Sequence, residues 1–296
     1  MKQGVKVYRT LDFCRKLEYV MKKVIVLVLL VGIAGIAGVV RSYTKSGYSL
    51  RSWPHSVKAQ SSSADVRDEI RKTVELSPGA RVNVSGINGA VTIETADTRT
   101  AEIYIERTAG SQEALDRRKI VITHTADSLT IKGEKDGSFL GKIFGSNPRE
   151  KVTLRLPKQI ALNTSGVNGA LKVGEIDGPV DVSGINGRVE VAEASGSANF
   201  SGINGQVSFA LRGLSKAIDI SGINGNIEMR LSENVNADLE ASGMNGAVTS
   251  ELPNVVVDKT SRGNYTARIG NGGTQISASG INGNIRLKGM VNLKAA

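Results

Sequence analysis

The chain has 296 residues, with 34 glycines, 4% aromatics and one cysteine, so neither an internal disulfide framework nor a bulky aromatic core is available to it. The formal charge of +10 suggests nucleic acid until it is divided. Residues 1–60 hold 11 bases against 2 acids, while the other residues hold 27 against 26, with no basic stripe interleaved with aromatics; nucleic-acid binding is excluded.

Residues 1–20 are basic and otherwise featureless, and Met21 is a candidate true start. Met21-Lys22-Lys23 then leads into the uncharged apolar run 24–40, the pattern of an export signal. As a helix that run extends roughly 26 Å, slightly less than the roughly 30 Å hydrocarbon core, and flanking lysines and Arg41 reach the interfaces by snorkelling. A retained anchor in residues 21–40 is favoured over a cleaved signal peptide. The bias of bases toward residues 1–23 places the C-terminal part outside the cytoplasm. Residues 41–68 read as a Ser-rich tether ending near Ser61-Ser62-Ser63.

The folded domain is expected over 69–296. Alternating apolar and polar residues predict strands at 70–76, 81–84, 101–106, 119–125, 129–133 and 152–156, with a short helix at 111–118. The loop 134–150 carries Phe139-Leu140 and Ile143-Phe144, expected to cap an open end of the fold.

One phrase, Ser-Gly-Ile-Asn-Gly, dominates the remainder. It starts at Ser85, Ser165, Ser183, Ser201, Ser221, Ser242 and Ser279, with Val167 and Met244 the only substitutes for Ile. Spacings of 18, 18, 20 and 21 residues separate the second to sixth copies, and the last interval of 37 fits two units with a degraded copy near Ser261-Arg262-Gly263-Asn264. Before each Ser, and again after each second Gly, the residues alternate apolar and polar, so each unit is strand, corner, strand. Asn-Gly is also the strongest short hairpin signal, which leaves an antiparallel meander as a rival. An all-β, single-chain β-solenoid of about 18–21 residues per coil is favoured. Stacked coils align Asn88, Asn168, Asn186, Asn204, Asn224, Asn245 and Asn282, together with the seven serines, into hydrogen-bonded ladders. These residues are structural corners.

The repeated phrase, with Lys151-Val-Thr-Leu-Arg-Leu-Pro157 before the later copies and Gly280-Ile-Asn-Gly-Asn-Ile-Arg-Leu287 at the close, resembles the bacterial putative-adhesin family of head-GIN type. The resemblance runs from about residue 69 to the C-terminus. It implies a β-helix exported to the cell envelope, non-enzymatic and without a cofactor, with a glycan or an envelope protein as the partner besides the membrane met by residues 24–40.

Chemistry is sparse in the sequence. His124 follows Ile122 in alternation and is expected to face water, and no Cys/His cluster, nucleophile elbow or phosphate loop is present. The one constellation is acidic: Asp219 and Glu240 occupy one outward column and, on adjacent coils, stand about 4.8 Å apart. Carboxylates at that separation serve retaining glycosidases, so a carbohydrate-active enzyme is the rival to an adhesin-like module, with a weak calcium site a lesser option. An envelope-stress-associated membrane protein is a third reading.

Overall fold

The computed structural model describes residues 65–135, 148–213 and 216–290. The expected N-terminal segment, anchor and most of the tether lie outside these residues, as do Phe139, Leu140, Ile143 and Phe144. Among the described residues no helix is long and apolar enough to cross a membrane.

Strand β1 (Val66–Glu75) begins three residues ahead of the expected start at Glu69. The first phrase joins β2 (Ala80–Ser85) to β3 (Gly89–Ala96). Between it and the second phrase run β4 (Thr100–Ala109), helix α1 (Gln112–Arg117), β5 (Arg118–Thr125), β6 (Ser128–Lys135) and β7 (Arg149–Pro157). The helix starts where Ser111 Oγ accepts a hydrogen bond from Ala114 N at 3.2 Å, an N-cap that satisfies an otherwise orphaned donor. The next phrases join β8 (Ile160–Ser165) to β9 (Leu171–Ile176), β10 (Val180–Ser183) to β11 (Val189–Ala194), and β12 (Ala198–Ser201) to β13 (Val207–Leu211). The fifth joins β14 (Ile218–Ser221) to β15 (Ile227–Leu231), and the sixth joins β16 (Ala237–Ser242) to β17 (Val248–Ser250). A hairpin of β18 (Val255–Ser261) and β19 (Asn264–Ile269) follows, and the last phrase joins β20 (Thr274–Ser279) to β21 (Ile285–Gly289).

These strands form two large sheets. The ten-stranded sheet runs β1-β4-β7-β3-β9-β11-β13-β15-β21-β17, and the eleven-stranded sheet runs β18-β19-β16-β20-β14-β12-β10-β8-β2-β6-β5. Every phrase sends its first strand to the second sheet and its second strand to the first. Repeat strands pair in parallel and in register, Ser with Ser, from Ser85 through Ser165, Ser183, Ser201 and Ser221. A meander would make these pairs antiparallel. Parallel register follows from the columns, because a slip of one residue would turn every buried side chain outward.

Chain order and spatial order part company at both ends. The seventh copy is inserted between the fifth and sixth: Ser279 pairs with Ser221 on one side and Ser242 on the other. The 37-residue interval is therefore not two stacked units. Ser261–Asn264 forms the tip of the antiparallel β18–β19 hairpin, which covers the free edge of β16. At the opposite end β6 and β7, later in the chain, lie outside β2 and β3, and β5 and β4 pair antiparallel onto them.

The core fills the space between the sheets. Val82, Val84, Val182, Phe200, Ile220, Ala241 and Ala278 are buried ahead of the corners, and Val91, Val189, Val207, Ile227 and Ile285 behind them. Phe200 and Phe209 stack at 4.9 Å between ring centroids. The Ile of each phrase (Ile87, Ile185, Ile203, Ile223, Ile281) is buried and closes the corner from inside. Each such burial contributes about 2 kcal/mol.

Candidate functional site

The repeated corner is built from main-chain contact first. In the fourth copy Gly202 has φ 59°, a left-handed conformation open to Gly at no steric cost. Gly205 is required for another reason: a Cβ there would overlap the Gly187 carbonyl of the neighbouring copy. With neighbouring copies this close, Gly202 N donates to Ser221 O at 3.0 Å, Gly205 N to Asn224 O at 3.0 Å, and Asn204 N to Ile185 O at 2.8 Å. The Asn side chains run as one ladder. Asn168 donates to Asn88 (3.0 Å), Asn186 to Asn168 (3.0 Å), Asn204 to Asn186 (3.2 Å) and Asn224 to Asn204 (3.1 Å). Asn282 donates to Asn224 (2.9 Å) and Asn245 to Asn282 (3.0 Å).

The serines form their ladder through the main chain. Ser165, Ser183, Ser201, Ser221, Ser279 and Ser242 each accept, through the main-chain carbonyl, the N–H of the first Gly in the neighbouring copy, at 3.0–3.1 Å. Ser85, in the first copy, sits in register with Ser165 and with Lys132 of β6.

At its first rung the ladder meets a buried ion pair that the sequence does not announce. Asn88 N has no preceding Ile carbonyl to meet; Glu150 Oε2 accepts from it at 2.7 Å, and Pro148 O accepts from Asn88 Nδ2 at 2.8 Å. Glu150 is held by Arg118, Nε to Oε1 at 2.5 Å and Nη2 to Oε2 at 3.0 Å, and Arg118 Nη2 also donates to Gly86 O. Their side chains are 0% and 4% exposed. The carboxylate thus takes the place of the Ile carbonyl that meets this Asn N–H in the later copies, and the guanidinium ties it to the corner through Gly86 O. Arg107 sits beside it, bonded to Asp68 at 2.8 Å and to the carbonyls of Leu115 and Arg118. Neither Arg118 nor Glu150 belongs to a repeat column, so no periodicity singles them out.

Outward, the eleven-stranded sheet carries one unbroken polar row. In register across the strands stand Thr123, Thr130, Asn83, Asn163, Asp181, Asn199, Asp219, Ser277, Glu240, Thr266 and Asp258. At the usual strand spacing the row is roughly 48 Å long. It bears four carboxylates and no base. Asn199 donates to Asp181 at 3.0 Å and Gln275 to Glu240 at 3.3 Å. The corresponding row of the other sheet mixes both signs (Lys172, Glu190, Glu228, Arg286), and its acids meet bases, as in Lys288–Glu228 at 3.1 Å.

The acidic pair needs correction. Asp219 and Glu240 share this row, but Ser277 of the inserted seventh copy stands between them. They lie two strands apart, about 9.6 Å between backbones, so the adjacent carboxylates of a retaining glycosidase are not assembled. Both are exposed. Glu240 instead joins Thr266 and Asp258 in lining a shallow depression of about 440 Å³, along with Asp238, Val256 and Arg268. His124 is exposed on β5, and among the described residues no three His, Cys, Asp or Glu side chains are grouped to hold a metal.

The turn opposite the Asn corner is held by charge. Lys158 Nζ meets Glu175 Oε2 at 2.9 Å, and Arg212 Nε meets Glu193 Oε2 at 2.8 Å, with Glu175 and Glu193 in register on β9 and β11. The two carboxyls shift in opposite directions. The Lys158 hydrogen bond holds Glu175 below the ordinary value of 4.5, whereas burial raises Glu193 above it.

No protein-family model matches the sequence, and no curated protein matches it either. Several solved structures match the chain at low identity. A putative cell adhesion protein from Clostridium sporogenes is 13% identical, with a TM-score of 0.38 over 76% of this chain and 100% of its own. A putative adhesin from Parabacteroides merdae is 11% identical, with a TM-score of 0.27 over 75% of this chain and 96% of its own. A putative lipid binding protein from Parabacteroides distasonis is 13% identical, with a TM-score of 0.24 over 75% of this chain and 97% of its own.

Proposed function

We propose that this chain is a non-enzymatic, adhesin-like binding module of the bacterial envelope, wound as a β-solenoid of the head-GIN type. Residues 24–40 anchor it as a single membrane span, and the Ser-rich tether displays the repeat domain outside the cytoplasm. The observation that carries this reading is the polar row across the eleven strands. Its polar side chains recur at a fixed strand spacing on a largely exposed face. Such a face suits an extended polymer that offers hydroxyl or amino donors at many points, rather than a small molecule enclosed in a cleft. The four carboxylates narrow the class to neutral or basic glycans, since an acidic polysaccharide would be repelled.

A carbohydrate-active enzyme remains the rival class, and one experiment separates the two. The purified chain is assayed against neutral, basic and acidic polysaccharides for both binding and product release. The expected result is binding to the neutral or basic set, weakened by salt and lost in an Asp181→Asn, Asp219→Asn double variant, with no product. Product release abolished by Asp219→Asn would overturn the proposal, and so would a preference for acidic polymers.

A further inference from the structure

We infer that β18 is a self-association edge, through which two copies of this chain pair antiparallel about Val256. It stands apart from the glycan-binding reading. β18 ends the eleven-stranded sheet, and among the described residues no strand lies beyond it. Exposed sheet edges are normally blunted by charge, shortness or a bulge, since their unpaired peptide groups accept another strand. The ten-stranded sheet follows that rule at β17, which has three residues. In β18 the irregularity falls late, between Lys259 and Ser261, and leaves the apolar start Val255-Val256-Val257 regular. Val256 is 62% exposed, the more exposed of two large apolar side chains so found; the other, Val121 at 37%, lies on the opposite edge strand β5.

The peptide groups on that edge can be assigned. Asn254 O accepts from Gly270 N at 3.0 Å, so Asn254 faces β19. By the alternation of an antiparallel ladder, Val256 and Asp258 face β19 as well. Val255 and Val257 therefore turn their N–H and C=O groups outward.

A second copy fits one register well. With Val256 opposite Val256 of the second copy, each outward Val255 meets an outward Val257, and each such couple exchanges two main-chain hydrogen bonds. Val256 then sits at the closely spaced non-hydrogen-bonded position, where opposing side chains touch. Asp258 falls opposite Asn254, so no like charges meet. Moving the centre to Asp258 would oppose two carboxylates, and Pro253, without an N–H, ends the pairing on the other side. The segment Asn254-Val-Val-Val-Asp258 is thus self-complementary about its middle residue, as an isologous two-fold contact demands.

The test uses the full-length chain in sedimentation velocity over a concentration series, with circular dichroism to confirm that each variant keeps its β-structure. The expected result is a concentration-dependent dimer that Val256→Asp converts to monomer. Asn254→Asp should weaken the dimer by opposing two carboxylates, and adding Asp258→Asn should restore it. In a Cys14→Ser background, Val256→Cys should oxidise to a covalent dimer while Thr260→Cys does not, because only position 256 faces itself. A wild-type chain that stays monomeric throughout would overturn the inference. So would a dimer indifferent to Val256→Asp, or open-ended polymers, which would implicate the β5 edge instead.

Discussion

Each repeat unit turns twice, and its two turns obey different rules. At the Asn corner the neighbouring main chains touch in all seven copies, so side chains are excluded by space and the phrase hardly varies. The opposite turn is in similar contact only across the 18-residue units: a Cβ at Gly196 would overlap the Gly178 carbonyl. Where the spacing lengthens to 20 residues, Gly213 has nothing within 4 Å of that position. There Arg212 reaches back to Glu193 at 2.8 Å and toward Glu175 at 3.9 Å, so long side chains bridge neighbouring units. Sequence uniformity thus reports main-chain contact between coils, and length variation collects where that contact is absent.

Denaturant unfolding can break this comparison, beginning at the ladder's buried end. Arg118→Met leaves Glu150 charged and buried beneath Asn88, and is expected to cost about 3–5 kcal/mol; a cost near zero would mean the cap carries nothing. Next comes the contact itself. Gly205→Ala should cost about 3 kcal/mol through overlap and backbone strain, while Gly213→Ala stays within about 0.5 kcal/mol. Equal costs would remove the distinction between the turns. The Asn side chain adds less than the glycines: Asn204→Ala removes its bonds to Asn186 and Asn224 and should lose about 1–2 kcal/mol.

One column position should improve on replacement. Thr164 is fully buried where the neighbouring copies carry Val84 and Val182, and its Oγ1 has no partner among the described residues. Thr164→Val should gain about 1 kcal/mol, and a loss would point to a hydrogen bond made by that hydroxyl.

The smallest effect sharpens the charged turn. Because Glu175 is lowered, its contribution is present above pH 4.5 and lost as pH falls through its folded value. Glu193 is raised, so its contribution is present below 4.5 and lost as pH rises through its folded value. Glu175→Gln should flatten the acid side of the stability profile, and Glu193→Gln should remove the loss on the other side. Each change stays within about 0.5 kcal/mol at such partly exposed pairs. Profiles that move together would show that the two glutamates do not titrate separately.

Much of this fold was legible because a period-two pattern and a period near 20 leave few choices. The repeat strands and the alignment of the Asn residues follow from the columns, whereas the β18–β19 hairpin does not. Nor does adjacency in space. Columns order the copies along the chain, and nothing in Ser242 or Ser279 says that the later one stacks first, so the proximity of Asp219 and Glu240 was misjudged. The cap was illegible for a related reason. Arg118 and Glu150 lie 32 residues apart, outside the repeats, and meet only because β7 lies beside β3 while β5, paired onto β6, starts next to the first corner. The ladder at Ser runs through the main-chain carbonyl, which any residue carries, so no side-chain pattern in the sequence specifies it.

The inserted seventh copy also shapes how this chain acquires its structure. During synthesis the sixth copy emerges first, bearing the same Ser-Gly-x-Asn-Gly corner that the fifth copy is ready to accept. A sixth copy stacked first on the fifth would have to separate again before β20 and β21 could enter between them. Refolding is expected to carry a slow phase from this exchange, beyond the slowness of long-range parallel pairing. The near-identity of the corners, which makes the finished stack regular, is also what makes its last step easy to get wrong.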